Sequence, residues 1–483
     1  MPKLISRNVR AWCLAIPLLA ILYFSGLSAA GMLGPDEPRY ASIGREMARS
    51  GDWVTPRLWG QAWFEKPVLL YWMTGAGFRL GLSDELAPRL PVALFSVVFL
   101  IFFQWILSRE FGARAAWTAT IILSTSAAWL GYSFVGATDL PMSAAFGAAM
   151  LLSLDWLASG DRRSLPLAAA LLGVAVLAKG LVPLALTVPL LWCGRLRWRD
   201  LVRWQVIGAF CVVALPWYLL CYMRNGIIFP RTFFWQQHFE RFTSDTLAHP
   251  QPFWFYAPVL AAALLPWTPL LLLLARRALY HDARRRFLLL WLAFGFLFFS
   301  LSTNKLPGYL LPLAPAAAAL MGIALSESPR ARWALPAAAL CLVAIPVALP
   351  IVPQALASGL SRASVPPIQW TWVLPVVLAL GVWWLEFRGR RDAALATMAI
   401  ALAISLTIVK CMALPAIDRA DSARSLWREV SGRRDQVCVA QVHRSWRYGL
   451  NYYSVVPLPD CSQSPRAFEV RQEAAAPPEL ARP

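Results

Sequence analysis

This chain has little charge, and acid is the scarcer sign. Only 15% of its 483 residues are Asp, Glu, Lys or Arg, and just 26 are acids. So few charges cannot cover the surface of a water-soluble protein of this length. Histidine is rarer still: there are four in all. The eight cysteines have no spacing of the zinc or iron–sulfur kind. Six of them (Cys13, Cys193, Cys211, Cys221, Cys341 and Cys411) lie in or beside apolar stretches, where they act as small apolar side chains. Cys438 and Cys461 fall in the C-terminal segment, where they could form one disulfide if it is exposed to an oxidising compartment. No internal repeat is visible.

Apolar residues make up the balance, at 58%. Thirteen runs are candidates to cross a hydrocarbon core of roughly 30 Å. They lie near 11–30, 87–107, 113–133, 138–158, 164–179, 181–194, 203–223, 254–275, 286–303, 306–325, 332–352, 369–386 and 392–412. The pair around Lys179-Gly180 can equally be one broken helix. Mid-span prolines such as Pro183, Pro189, Pro216 and Pro346 are tolerated where neighbouring helices re-bond the freed carbonyls.

The formal charge of +19 follows this topology. With a cytoplasmic amino terminus (Lys3, Arg7, Arg10), every even-numbered connection should be basic, and each is, from Arg109/Arg114 to Arg388/Arg390/Arg391. These segments hold 21 Lys/Arg against 8 acids, which accounts for +13 of the +19. A nucleic-acid surface is therefore not needed to explain the basicity. The same parity puts 31–86, 224–253, 353–368 and the tail from 414 on the outer side. A cleaved signal peptide ending near Ser28-Ala29-Ala30 would flip that parity, so it ranks lower.

Seven of the 26 acids crowd between Gly31 and Leu86. Two strings stand out there, Asp36-Glu37-Pro38-Arg39-Tyr40 and Phe64-Glu65-Lys66-Pro67. Acids interleaved with cations at a membrane surface suit the handling of phosphate or a metal. Pro38, with Tyr40, Ile43 and Met47 at helical spacing, predicts a helix, and Pro67–Leu80 predicts a second; both are expected to lie along the membrane surface. In the tail, Ser422–Val430 reads as a helix, and Gln436–Val442 and Leu450–Val456 as strands. The expected division is a transmembrane domain over 1–413 and a small α+β outer domain over 414–483.

Each candidate group also has an ordinary reading. Asp36 suits a helix cap, and Asp139 can be a solvated carboxylate at a span end. Together on one side they form a plausible acid/base or metal-positioning pair. Glu65 and Lys66 can be an exposed ion pair, or a cation ligand beside a phosphate ligand. Lys179 between two apolar stretches is costly unless paired, although it could snorkel. Lys66, Lys179, Arg241 and Lys305 could converge on an anionic headgroup. His238 and His249 share the outer loop after the seventh span, and His238 with Glu65 could make a mixed N/O metal site.

These strings, with Gly51-Asp52-Trp53, Tyr71-Trp72, Ala178-Lys179-Gly180, His238 to Phe242, Phe253 to Tyr256, and Lys305-Leu306-Pro307 with Tyr309, resemble the bacterial lipid A aminoarabinose transferases. That family belongs to the GT-C membrane glycosyltransferases, whose wider relatives include protein O-mannosyltransferases. The resemblance covers roughly residues 10–325, in order, and weakens beyond. It implies an all-α polytopic fold of about thirteen transmembrane helices in the bacterial inner membrane. It also implies transfer of a sugar from a polyprenyl phosphate, usually undecaprenyl phosphate, to lipid A or another envelope acceptor on the periplasmic face, with inversion if the attack is a single displacement.

By position, Asp36 and Asp139 match the conserved acids of that family. Glu65 and His238 match residues of a divalent metal site, for which Zn, Mg or Mn is expected. Lys66 and Arg241, and more weakly Arg39, match residues near the donor phosphate, with Lys179 and Lys305 on the same side. Tyr309 matches an aromatic in a loop that closes on the lipid. Pro38, the Thr138-Asp139-Leu140-Pro141 setting and a short tail depart from the pattern, which bears on the sugar and acceptor more than on the reaction class. Protein O-glycosylation is the alternative within this class, and a lipid-linked sugar flippase is the alternative outside it. A transporter would favour a site near the bilayer midplane, away from the outer-side cluster of acids.

Overall fold

In hydrocarbon every backbone group must be bonded internally, so long apolar runs fold as helices. The computed structural model describes residues 2–240, 250–358, 363–364, 366–473 and 476–482, and the side chains of 2–10, 237–240 and 356–358 are outside that description. Among the described residues, seven helices are long and apolar enough to cross a membrane. An eighth would be formed by Phe253–Ala263 and Thr268–Ala275, which are bent by 113° at the break between them. All thirteen expected stretches coincide with helical segments, several of them short. Pro183 and Pro189, for example, open separate pieces at Val182–Ala185 and Val188–Cys193, because proline suits a first turn and interrupts an interior.

The first half runs α1 (Pro2–Phe24), α2 (Asp36–Ser50), a hairpin of β1 (Arg57–Leu58) and β2 (Gln61–Ala62), α3 (Leu69–Arg79) and α4 (Leu86–Phe111). There follow α5 (Ala113–Thr125), α6 (Ala127–Tyr132), α7 (Asp139–Leu152), α8 (Leu154–Ser159) and α9 (Leu165–Lys179). Helix α7 is small-residue-rich and packs on α9 and α4. Of its 14 residues only Asp139 is not buried, which makes it the centre of the bundle.

The basic connections meet one another at one end. Arg109 pairs with Asp155, Arg114 with Asp392, Arg162 with Asp200 and Arg285 with Glu327. The segment 31–86 gathers at the opposite end of α4, together with residues 136–139, the C-terminus of α9 and the end of the Arg391–Asp421 helix.

α2 and α3 are both helical as expected, and α2 is largely enclosed by protein. Ten of its 15 residues are buried, because protein covers both of its sides. It packs on α3 and on the Arg444–Ser454 helix of the tail. A Cβ on Gly44 would come within 2.7 Å of Thr74, so this crossing needs a glycine. Arg45, which a lipid-facing helix would expose, is instead bonded to the Tyr452 carbonyl and to Asp84.

In the tail the Arg424–Val430 helix forms as expected, and only Val437–Val439 of the first expected strand is β-structure (β3). It pairs in parallel with β4 (Phe468–Arg471), which pairs antiparallel with β5 (Glu479–Ala481). The expected strand at Leu450–Val456 is instead the end of the Arg444–Ser454 helix. Trp446, Leu450 and Tyr453 recur at helical spacing there and bury one face against α2 and the tail core. Cys438 and Cys461 are disulfide-bonded.

Candidate functional site

The local sequence explains how the first cluster assembles. Asp36 and Glu37 occupy the first turn of α2, where the helix dipole favours acids. Arg39, one turn on, points back over them. The β1–β2 hairpin turns the chain so that Phe64 is buried against Phe229 and Glu65-Lys66 reach α2.

Arg39 bonds the Asp36 carboxylate and the Pro35 carbonyl, and stands 3.0 Å from Glu65. Glu65 in turn lies 3.5 Å from Lys66. Burial works against the charge on Arg39, but Glu65 and Asp36 outweigh it and raise its pKa above that of an ordinary arginine. Burial, and then Glu65, push the hydroxyls of Tyr40 and Tyr71 well up, so both remain neutral donors. The Asp36 side chain keeps 51% of its surface exposed, against 14% for Arg39 and 9% for Glu65. Asp36 is thus the carboxylate of this cluster that a ligand can reach.

Glu37, beside it, is closed. Its two oxygens accept from Arg89 Nε and Nη2 at 2.7 Å, from the Gly136 N–H at 2.7 Å and from the Leu33 N–H at 2.8 Å. Arg89 donates further to the carbonyls of Leu27, Ala30 and Gly31. A buried pair survives only with such complete bonding. The network joins the start of α2 to residue 136, three positions before Asp139. Sequence reading did not single out Arg89. Its signal was an arginine at the start of an apolar span, a place where a charge is costly unless paired.

Asp139 opens α7, and Lys179, the last residue of α9, bonds it at 2.5 Å. The Lys179 ammonium also lies 4.9 Å from the Tyr309 ring. A Cβ on Gly308 would come within 2.9 Å of Asp139 and would meet the Tyr132 hydroxyl, so a larger residue there would displace these two side chains. Tyr132 is within electrostatic reach of both Asp139 and Asp36. The two acids therefore share one end of the bundle and a common neighbour.

Lys305 differs from the expectation that it faces an anion. Its ammonium is spent on the carbonyls of Gln251, at 2.9 Å, and Ser302, bracing the loops before and after two helices. Arg241, His249 and the side chain of His238 lie outside the described residues. Among the described residues no three His, Cys, Asp or Glu side chains gather to hold a metal ion. Glu65 faces Arg39 and Lys66, and its expected partner on a divalent cation, His238, has its side chain outside the described residues. No step below is routed through one.

Sequence reading also missed an aromatic frame. The Arg39 guanidinium sits 5.2 Å from the ring of Tyr448, in the tail, and 5.8 Å from those of Trp63 and Tyr40. Tyr448 lies about 400 residues from Arg39 in sequence, so no local pattern links them.

The chain is similar to known proteins in sequence and in fold. Residues 65–219 match the family described as dolichyl-phosphate-mannose-protein mannosyltransferase. An undecaprenyl phosphate-alpha-4-amino-4-deoxy-L-arabinose arabinosyl transferase of Pseudomonas paraeruginosa is 33% identical over 335 residues, 66% of this chain and 60% of that protein. One of Pseudomonas aeruginosa is 34% identical over 336 residues, with the same shares. The chain thus spans about 60% of the length of these curated relatives.

Among solved structures, ArnT from Cupriavidus metallidurans bound to undecaprenyl phosphate superposes with a TM-score of 0.77 at 26% identity, over 96% of this chain and 87% of that one. The Archaeoglobus fulgidus oligosaccharyltransferase, 12% identical with a TM-score of 0.51 over 94% of this chain and 65% of that one, shares the fold alone. The resemblance read from the motifs is borne out. Seven or more apolar helices and these likenesses make the chain an integral membrane protein of GT-C-type architecture.

Proposed function

We propose that this chain is a membrane glycosyltransferase that moves a sugar from a polyprenyl phosphate, undecaprenyl phosphate in a bacterium, to lipid A. The observation that carries this reading is the convergence of Asp36, Arg39, Glu65 and Lys66 with Asp139 and Lys179 at one end of a bundle that superposes on an undecaprenyl phosphate-bound ArnT. The names of the Pseudomonas relatives supply the donor class, and the motif resemblance supplies lipid A as the acceptor.

In the reaction, the bond between the sugar C1 and the donor phosphate oxygen breaks, and an acceptor oxygen bonds to C1 from the opposite face. Polyprenyl phosphate leaves as an anion, and Lys66 and Arg241 are the cations assigned to it. An acceptor phosphate of lipid A is already anionic and needs no base. Asp36 then orients groups around the sugar and stabilises the positive charge that develops at C1. For a hydroxyl acceptor, Asp36 takes the proton. Lys179 holds Asp139 in place, and Tyr309 packs beside them.

The same reading carries thirteen crossings, a cytoplasmic amino terminus, an inner-membrane location and a periplasmic site. It includes a small periplasmic α+β unit at the C-terminus, beyond a transmembrane unit ending near 413. The mannosyltransferase family match at 65–219 favours protein as a second acceptor class. Mass spectra of lipid A and of glycoproteins from a deletion strain separate the two. Aminoarabinose-type additions should vanish from lipid A and return with the wild-type gene. Unchanged lipid A, with sugar lost from proteins, would overturn the lipid A assignment.

A further inference from the structure

A second cavity opens along α2, beyond the carboxylates. It encloses about 210 Å³ and is lined by Ser42, Arg45, Glu46 and Arg49 of α2, by Trp59-Gly60 at the hairpin turn and by Val455 after the tail helix. Ser42, Glu46 and Arg49 follow Arg39 at steps of three, four and three residues, so they continue its stripe on the helix. At ~1.5 Å per residue, Glu46 stands roughly 10 Å along the axis from Arg39.

Two features set this cavity apart from an ordinary surface dent. Among the described residues, the non-glycine residues with positive φ are Trp59, at 53°, and Val455, at 68°, and both line it. A β-branched residue in that region costs about 1–2 kcal/mol, and such strain collects at ligand clamps. Ring contacts also link the cavity wall to the first cluster. Trp59 stacks on Tyr448 at 5.8 Å, and the same Tyr448 ring receives Arg39.

Its polar groups are specific. Arg45 is committed to Tyr452 and Asp84, and Glu46 turns onto the Gly60 N–H at 3.0 Å. Ser42 donates to the Pro38 carbonyl and keeps its lone pairs. Arg49, exposed at the rim, is the cation that can turn to a ligand.

We propose that this cavity is the acceptor-side subsite, holding one phosphorylated sugar ring of the acceptor headgroup. The proposal rests on the transferase reading above. An indole face suits the C–H face of a sugar, Glu46 and Ser42 accept from its hydroxyls, and Arg49 meets its phosphate. The volume lies below the ~300–1,000 Å³ of pockets that enclose a drug-sized ligand. Arg45, Glu46 and Arg49 in its wall suit a polar headgroup, while the lipid tails stay in the bilayer.

The test uses the purified full chain in detergent. A glucosamine disaccharide without acyl chains is titrated in phosphorylated and unphosphorylated forms, alongside inorganic phosphate and undecaprenyl phosphate. The phosphorylated disaccharide should bind at least ~10-fold tighter than the unphosphorylated form. Arg49→Glu should abolish that difference and Arg49→Lys should largely keep it. Trp59→Gly, which also relieves the strained φ, should weaken both disaccharides. Undecaprenyl phosphate should bind all variants as it binds wild type. Wild-type affinity in Arg49→Glu, or inorganic phosphate binding as tightly as the phosphorylated disaccharide, would overturn the subsite. Failure of the wild type to bind undecaprenyl phosphate would count against the transferase reading instead.

Discussion

Asp36 and Glu37 share a peptide bond, yet the Glu37 side chain is 0% exposed while that of Asp36 is 51% exposed. Both face an arginine, but the pairs differ in what surrounds them. Glu37 and Arg89 have no surface left to offer, and their other bonds all go to backbone. Arg39 binds Asp36 from one side only, leaving the other side open to a substrate. A buried, completed ion pair holds geometry, whereas a half-open one can exchange its partner during a reaction. The closed pair also touches both halves of the site, through the start of α2 and through Gly136.

The largest effect expected from this contrast is on folding. Glu37→Ala strands a buried guanidinium and should destabilise the protein by about 3–5 kcal/mol. A thermal melt of the detergent-solubilised variant checks this. Pairing it with Arg89→Met should restore much of the loss, and equal instability of the double variant would break the comparison.

The Asp139–Lys179 pair is the intermediate case, with side chains 18% and 10% exposed. Lys179→Met should cost about 1.5–3 kcal/mol, less than Glu37→Ala in the same melt. It should also lower kcat more than it raises KM for the donor, because Asp139 loses its anchor. A rise in donor KM alone would make Lys179 a plain phosphate ligand.

Asp421 gives the smallest effect and sharpens the rule from the other side. It is a mostly buried carboxylate that accepts from the Gly34 N–H, and among the described residues no ion pair includes it. Burial pushes its pKa from 3.8 to about 6. The native state therefore binds a proton that the unfolded state has released, and stability falls as pH rises from about 4 to 6. Asp421→Asn should match wild type below that window and exceed it above pH 6 by about 1–2 kcal/mol. Melts at pH 4 and pH 7.5 read this, and equal shifts at both would contradict it.

Much of this was legible in the sequence. Apolar runs located the helices, and loop charges separated the two ends of the bundle. The Asp36 and Glu65 strings marked the site because acids are rare in such a chain. What could not be read is what distant segments do to one another. Lys305 looked like a phosphate ligand, but its partners are carbonyls of Gln251 and Ser302. Leu450–Val456 is rich in Tyr and Val as a strand would be, but most of it belongs to a helix whose apolar face meets α2. Tyr448 and Val455 reach the site only because the tail folds back onto α2. Asp36 and Glu37 look alike in sequence, and only the position of Arg89 tells them apart.

The central claim is that Asp36 serves the reaction while its neighbour serves the fold. The most direct test is the proposed transfer, assayed with aminoarabinosyl undecaprenyl phosphate and lipid A and purified wild type or Asp36→Asn, with product counted by mass spectrometry. A loss of about 10²–10⁴-fold is expected, with undecaprenyl phosphate binding and Tm kept at wild-type values. Transfer by Asp36→Asn at the wild-type rate would contradict it.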